Sequence, residues 1–163
     1  MLTLERLRSD HAPALLAFEQ ENRAYFAQSV PDRGDDYFTG FASRHRDLLA
    51  EQDTGACRFH VVLDDRGELI GRVNLVDISD GCAELGYRID ERATGRGVAT
   101  AAVGEACRLA GAEYALSTLV AVTTLDNPAS RAVLARNGFT VVESITLVGR
   151  PGVRYRRRLA PAS

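Results

Sequence analysis

Lysine is absent from this chain: all 20 of its cationic residues are arginine. No side-chain amine is therefore available for modification, and the Gly-Lys-Ser/Thr ending of a nucleotide P-loop cannot be written anywhere along it. Cysteine is scarce and scattered. Cys57, Cys82 and Cys107 are odd in number and form no C-x-x-C pair, so they support neither a disulfide framework nor a thiolate zinc site. His11, His45 and His60 are equally dispersed, and no metal is expected. There is no excess of positive charge either. With 22 acidic residues against 20 basic the formal net charge is −2, which gives no reason to expect nucleic acid as a partner. The one basic run, Arg154-Tyr155-Arg156-Arg157-Arg158, alternates with Val153 and Leu159 in the manner of a terminal strand. Long apolar runs are missing too. Residues 1–7 interleave Glu5 and Arg6 with leucines, which is neither a signal peptide nor a membrane span. No membrane partner is expected, and a cytoplasmic location follows by default.

What remains is an ordinary globular composition, 45% hydrophobic and 26% charged over 163 residues. That is enough for one domain with a sizeable core and short for two. Leu2 and Leu4 open a strand, and Ser9-Asp10 offers a cap for a helix carrying Leu15, Leu16 and Phe18. A break over 28–34 precedes a second helical pattern through Tyr37, Phe41 and Leu48. Residues 59–63 and 69–76 flank Asp64-Asp65-Arg66-Gly67 as a hairpin, and Ser79-Asp80-Gly81 turns into a third antiparallel strand over 83–89. An Ala-rich helix follows over 98–110, then a β-branched strand over 117–123. A short helix opens at Asp126-Asn127-Pro128 and ends at Asn137-Gly138, and a closing pair of strands spans 139–147 and 153–159. No repeat or low-complexity segment interrupts this order. It predicts an α/β (α+β) fold, a mixed and mostly antiparallel sheet flanked by helices, with residues 1–163 as one domain.

The chemistry concentrates at Arg92-Ala93-Thr94-Gly95-Arg96-Gly97-Val98-Ala99, where the strand bearing Glu84 hands over to the Ala-rich helix. Glycine lets backbone approach a ligand closely. The first helical N–H groups lack intrahelical partners and carry partial positive charge, so the turn suits a phosphate. Arg92 and Arg96 add formal charge. The pattern is not a dinucleotide G-x-G-x-x-G, since position 100 is threonine.

Taken with Asp126-Asn127-Pro128-Ala129-Ser130 and the later Asn137-Gly138-Phe139, this turn resembles the GNAT superfamily of acetyl-CoA-dependent N-acetyltransferases. Within it the chain is similar to the branch that acetylates ribosomal-protein amino termini. The resemblance implies that acetyl-CoA is the co-substrate. Its pyrophosphate would lie on Arg92, Thr94, Gly95, Arg96, Gly97, Val98, Ala99 and Thr100. Main-chain groups of Tyr87, Arg88 and Ile89 would meet the pantetheine arm and the acetyl carbonyl, on a strand splayed from its neighbour, and Asn127 would bond the cofactor near the splay.

Acetyl transfer needs a neutral amine, a polarised carbonyl and a proton for the thiolate. The resemblance gives Glu84 the amine proton and makes Ser130 the proton donor, because Leu134 stands where many members carry a tyrosine. Tyr155 or water is the alternative donor. It further implies an amine acceptor, a small molecule or a protein amino terminus, held by residues 21–26 and 32–36, and it leaves a homodimer open. The acidic groups among 32–36 would suit a cationic amine. The chain has no tryptophan, unlike the ribosomal-protein branch in that region. Two further readings stay open here: an acetyl-CoA sensor without catalysis, and a nucleotide-binding protein.

Overall fold

Seven strands form one sheet in the computed structural model, which describes residues 2–160; Met1 and 161–163, the ends of the expected domain, lie outside the described residues. The spatial order is β1 (Thr3–Arg6), β2 (Arg58–Leu63), β3 (Leu69–Ser79), β4 (Cys82–Ile89), β5 (Thr118–Thr124), β7 (Arg150–Arg158) and β6 (Thr140–Leu147). Every pairing is antiparallel except β4 with β5.

Local chemistry explains the turns. In the β2–β3 hairpin Asp64 Oδ1 accepts the N–H groups of Arg66 and Glu68, each at 2.9 Å, an Asx-type bond that nucleates the reversal. Asp80 and Gly81, both with positive φ, make the two-residue link from β3 to β4 that twists with the strands.

Side chains alternate across the sheet and bury on both faces. Val73, Leu75, Leu85 and Leu119 meet Ala102, Val103 and Ala106 of the Ala-rich helix α5 (Val98–Ala112) and Leu134 of α6 (Pro128–Arg136). The opposite face carries Phe59 and Val61 against Leu15 and Phe18 of α1 (Ala12–Glu21) and Phe41 of α4 (Phe41–Asp53). Between those helices lie α2 (Arg23–Phe26) and α3 (Asp35–Thr39).

Two local expectations change. The Ser9-Asp10 cap is not made: Asp10 binds the Arg8 guanidinium at 2.9 Å, and His11 Nδ1 accepts the Arg8 N–H at 2.9 Å ahead of α1. The two early helices are four, because Asn22 and Gly40 leave helical geometry at the ends of α1 and α3. The basic run 154–158 lies in β7, the strand expected there.

His60 of β2 is 2% exposed, with Nε2 2.5 Å from the Tyr114 hydroxyl. Burial pushes its imidazole down to about 4. The unfolded chain, titrating near 6.5, binds a proton that the folded chain refuses, so stability is lost as pH falls from 6.5 towards 4. Denaturant titrations at pH 7 and pH 5 should show the wild type losing about 2 kcal/mol more than His60→Gln. Equal losses would contradict the assignment.

Candidate active site

The single parallel pairing sets the site. β4 and β5 are joined only at Cys82↔Thr118, Ala83↔Leu119 and Glu84↔Val120. Beyond Glu84 the strands part: β4 keeps its register with β3 through Ile89, and β5 keeps its register with β7 through Thr124. Between them opens a cleft of about 790 Å3. It passes through the sheet, since consecutive residues of both strands line it, 85–89 and 121–124, and these point alternately to opposite faces. One mouth lies on the α5–α6 side. The other lies on the side of α2 and the coil after it, where Tyr25, Phe26, Ser29 and Val30 line it.

Strand alternation aims the main chain as well. Asp90 N–H donates to Ile70 on the β3 side, and Gly81 C=O accepts from Thr118 on the β5 side. The register between them is regular from Glu84 to Ile89, so the amides and carbonyls of Tyr87 and Ile89 face the fork. Those of Arg88 face β3, so its contribution at the cleft is its side chain.

On the α5 side Gly97 precedes the helix with φ 73 and Gly95 has φ 78, left-handed conformations that glycine adopts without strain. A Cβ at either would meet nothing within 4 Å. The first helical bond to this turn is Ala101 N–H to Gly97 C=O. The N–H groups of Gly95, Arg96, Gly97, Val98, Ala99 and Thr100 make no hydrogen bond among the described residues, and no carboxylate sits in the first turn of α5. A row of donors at a positive helix end is an anion cradle. Arg92 and Arg96 do not line it: Arg92 binds Asp90 at 3.0 Å, and Arg96 reaches the Arg92 carbonyl.

Asn127 lines the cleft and caps α6, its Oδ1 accepting the Ser130 N–H at 3.1 Å. Its side-chain amide keeps two donors. Beside it, Ser130 Oγ meets the Tyr87 hydroxyl at 3.3 Å, and burial pushes that phenol up from its ordinary value. Tyr87 thus brings its side chain to the site as well as its main chain, and its hydroxyl partner is 43 residues away, beyond any local signal. Leu134 is a buried wall of the cleft. Tyr155 is packed in the core with its hydroxyl 3.4 Å from Arg131 Nε, and does not line the cleft. Arg136, at the end of α6, does line it and carried no motif in the sequence.

Glu84 stands at the apex as the last residue before the strands part, half-buried. By alternation it shares a face with Gly86 and Arg88, the side of α1 and α2, and is turned away from Tyr87 and Ser130. It makes no hydrogen bond or ion pair among the described residues. The acidic groups among 32–36 do not reach the cleft. Asp32 and Asp35 are held by Arg23 at 2.8 and 2.9 Å. Among the described residues no cluster of His, Cys, Asp or Glu could hold a metal, and no helix is long and apolar enough to cross a membrane.

A family model for the acetyltransferase (GNAT) domain matches residues 1–140. The chain is 32% identical over 132 residues to a probable N-acetyltransferase, YjcK, of Bacillus subtilis strain 168, covering 76% of this chain and 72% of that protein. It superposes on a ribosomal-protein-S5-alanine acetyltransferase from Vibrio fischeri with a TM-score of 0.89 at 20% identity, over 97% of this chain and 93% of that one. A spermidine N-acetyltransferase from Vibrio cholerae, in complex with CoA and spermine, superposes with a TM-score of 0.80 at 20% identity, over 97% and 95%. At such identities the two structures share the fold, while the family match and the sequence relative speak to descent. The chain belongs to the GNAT family and is an acetyltransferase.

Proposed function

We propose that this acetyltransferase moves the acetyl group of acetyl-CoA to a primary amine by direct attack in a ternary complex, with residues 1–163 acting as one catalytic domain. The observation that carries the reading is the cleft through the sheet: one mouth bears the donor-lined glycine turn, and Glu84, the last residue of β4 paired with β5, stands at the apex where the cleft begins, on the face of the other mouth. A group transferred between two bound molecules needs both in one passage.

The residues present fit acetyl-CoA. The amides of 95–100 and the cation of Arg136 suit its phosphates, Asn127 offers its side-chain amide, and the main chain of Tyr87 and Ile89 suits an extended amide-bearing arm. Acetyl-CoA supplies an activated thioester carbonyl. The chain's own residues do the rest. Amide donors at the fork polarise that carbonyl, Glu84 receives the amine proton on the α2 side, directly or through water, and the Ser130–Tyr87 hydroxyl pair returns a proton on the α5 side. Each proton thus moves on its own side of the sheet.

Thermal unfolding with millimolar acetyl-CoA, ATP or NAD tests this. A ligand at about 100 times its Kd adds about 2.7 kcal/mol, or about 5–10 °C in Tm for a chain of this size. Acetyl-CoA should give that shift and the other two should not; no effect of acetyl-CoA would refute the reading. Rapid quench should trap no acetylated protein, and an acetyl-protein would overturn direct attack.

A further inference from the structure

The α2 side of the fork is built around a gap in the side chains of β4. Gly86 is exposed between Leu85 and Tyr87, and a Cβ added to it would meet nothing within 4 Å. Three side chains share its face: Glu84 and Arg88, two positions to either side, and Asn74, directly opposite in the β3 register. Asn74 Oδ1 is buried and accepts no hydrogen bond among the described residues. Glu84 puts an acceptor beside the gap, and Arg88 puts a cation about 7 Å further along the strand.

That cation is only partly neutralised by its surroundings. Among the described residues only Nη1 of Arg88 has a protein partner, Glu19 at 3.3 Å. The Glu19 carboxylate, 1% exposed, is shared with Arg33 at 3.1 Å and Arg72 at 3.0 Å. Three guanidinium charges thus face one carboxylate. The Arg88 guanidinium lies over the Phe26 ring, 4.9 Å from its centroid, at the mouth. Among the described residues no Asp or Glu lines the cleft: Asp32 and Asp35 are committed to Arg23, and Asp36 stands exposed outside it.

We infer that the acceptor is an amine bearing a carboxylate near its nitrogen, seated over Gly86 with the amino group towards Glu84 and the carboxylate on Arg88. This rests on the acetyltransfer reading above and names its acceptor class. An acidic peptide amino terminus and a free acidic amino acid share the chemistry. A polyamine brings only positive charge to a site already in excess of it.

The test measures acetyl transfer by the full chain to short peptides with Asp at residue one or two, to their Asn counterparts, to free aspartate and to spermidine. The wild type should favour each Asp peptide over its Asn twin by about 10–100-fold in kcat/KM, mostly through KM, as expected for a hydrogen-bonded charge pair. Arg88→Gln should erase the preference and Arg88→Lys should keep part of it. Turnover of the peptide or of free aspartate tells the two sources apart. The wild-type ratio needs no folded variant. Asp no better than Asn, spermidine the better acceptor, an equal loss on both peptides in Arg88→Gln, or no turnover of any carboxylate-bearing amine overturns the inference. Acetyl-CoA binding read on the same samples separates this failure from that of the acetyltransfer reading: stabilisation with turnover of neutral or cationic amines alone defeats only the acceptor class.

Discussion

Glu19→Ala should destabilise the fold by about 3–5 kcal/mol, the cost of leaving a buried ion pair without one partner. Glu19 lies on α1, Arg72 on β3, Arg88 on β4, and Arg33 in the coil before α3. One carboxylate therefore pins three segments to a helix. Its removal strands Arg72, which is 5% exposed and whose Nε is already without a partner. Urea unfolding checks the figure, and a drop of about 10 °C in Tm should accompany it. The control is the double variant Glu19→Met, Arg72→Met. Removing both charges should recover a large part of the loss, since apolar residues of similar volume often replace a buried pair at little cost. A loss below about 1 kcal/mol for Glu19→Ala would mean that water reaches the cluster and screens it.

Glu84→Gln should lower kcat by about 10²–10⁴-fold, the range for a lost general base, while acetyl-CoA still stabilises the fold. Glutamine keeps the shape and the half-burial of the apex, so packing and strand register are conserved. Only the proton acceptor is removed. Steady-state CoA release and thermal unfolding, measured side by side, separate the two effects. A fall of less than threefold in kcat, an order of magnitude short of the general-base range, would move the proton to water alone. A lost acetyl-CoA response would make Glu84 a structural residue of the fork.

Local signals carried far in this chain. Gly97 before an Ala-rich run, Asn127 before Pro128 and Asp64 ahead of Gly67 each act through backbone geometry within four residues, and each element stands where that geometry puts it. What the sequence could not display are bonds between distant residues. Asp32 and Asp35 read as an acidic surface for a cationic amine, because nothing nearby announces that Arg23 folds back onto both. The Tyr87–Ser130 pair spans 43 positions and the Arg88–Glu19 pair spans 69. Arg88 was legible as a site residue but for its main chain, and strand alternation reverses that role. The break at Gly40 was hidden by an apolar spacing that continues across it from Tyr37 and Phe41 to Leu48.

The three residue pairs that join β4 to β5 are also a mechanical joint. To one side lies a four-stranded panel, β1 to β4, and to the other a three-stranded panel, β5, β7 and β6. Each panel keeps its own hydrogen bonds whatever the angle between them. A change in cleft width would strain this short seam, the Tyr87–Ser130 bond and the packing of α5 and α6 across it, and would leave the hydrogen bonds inside each panel intact.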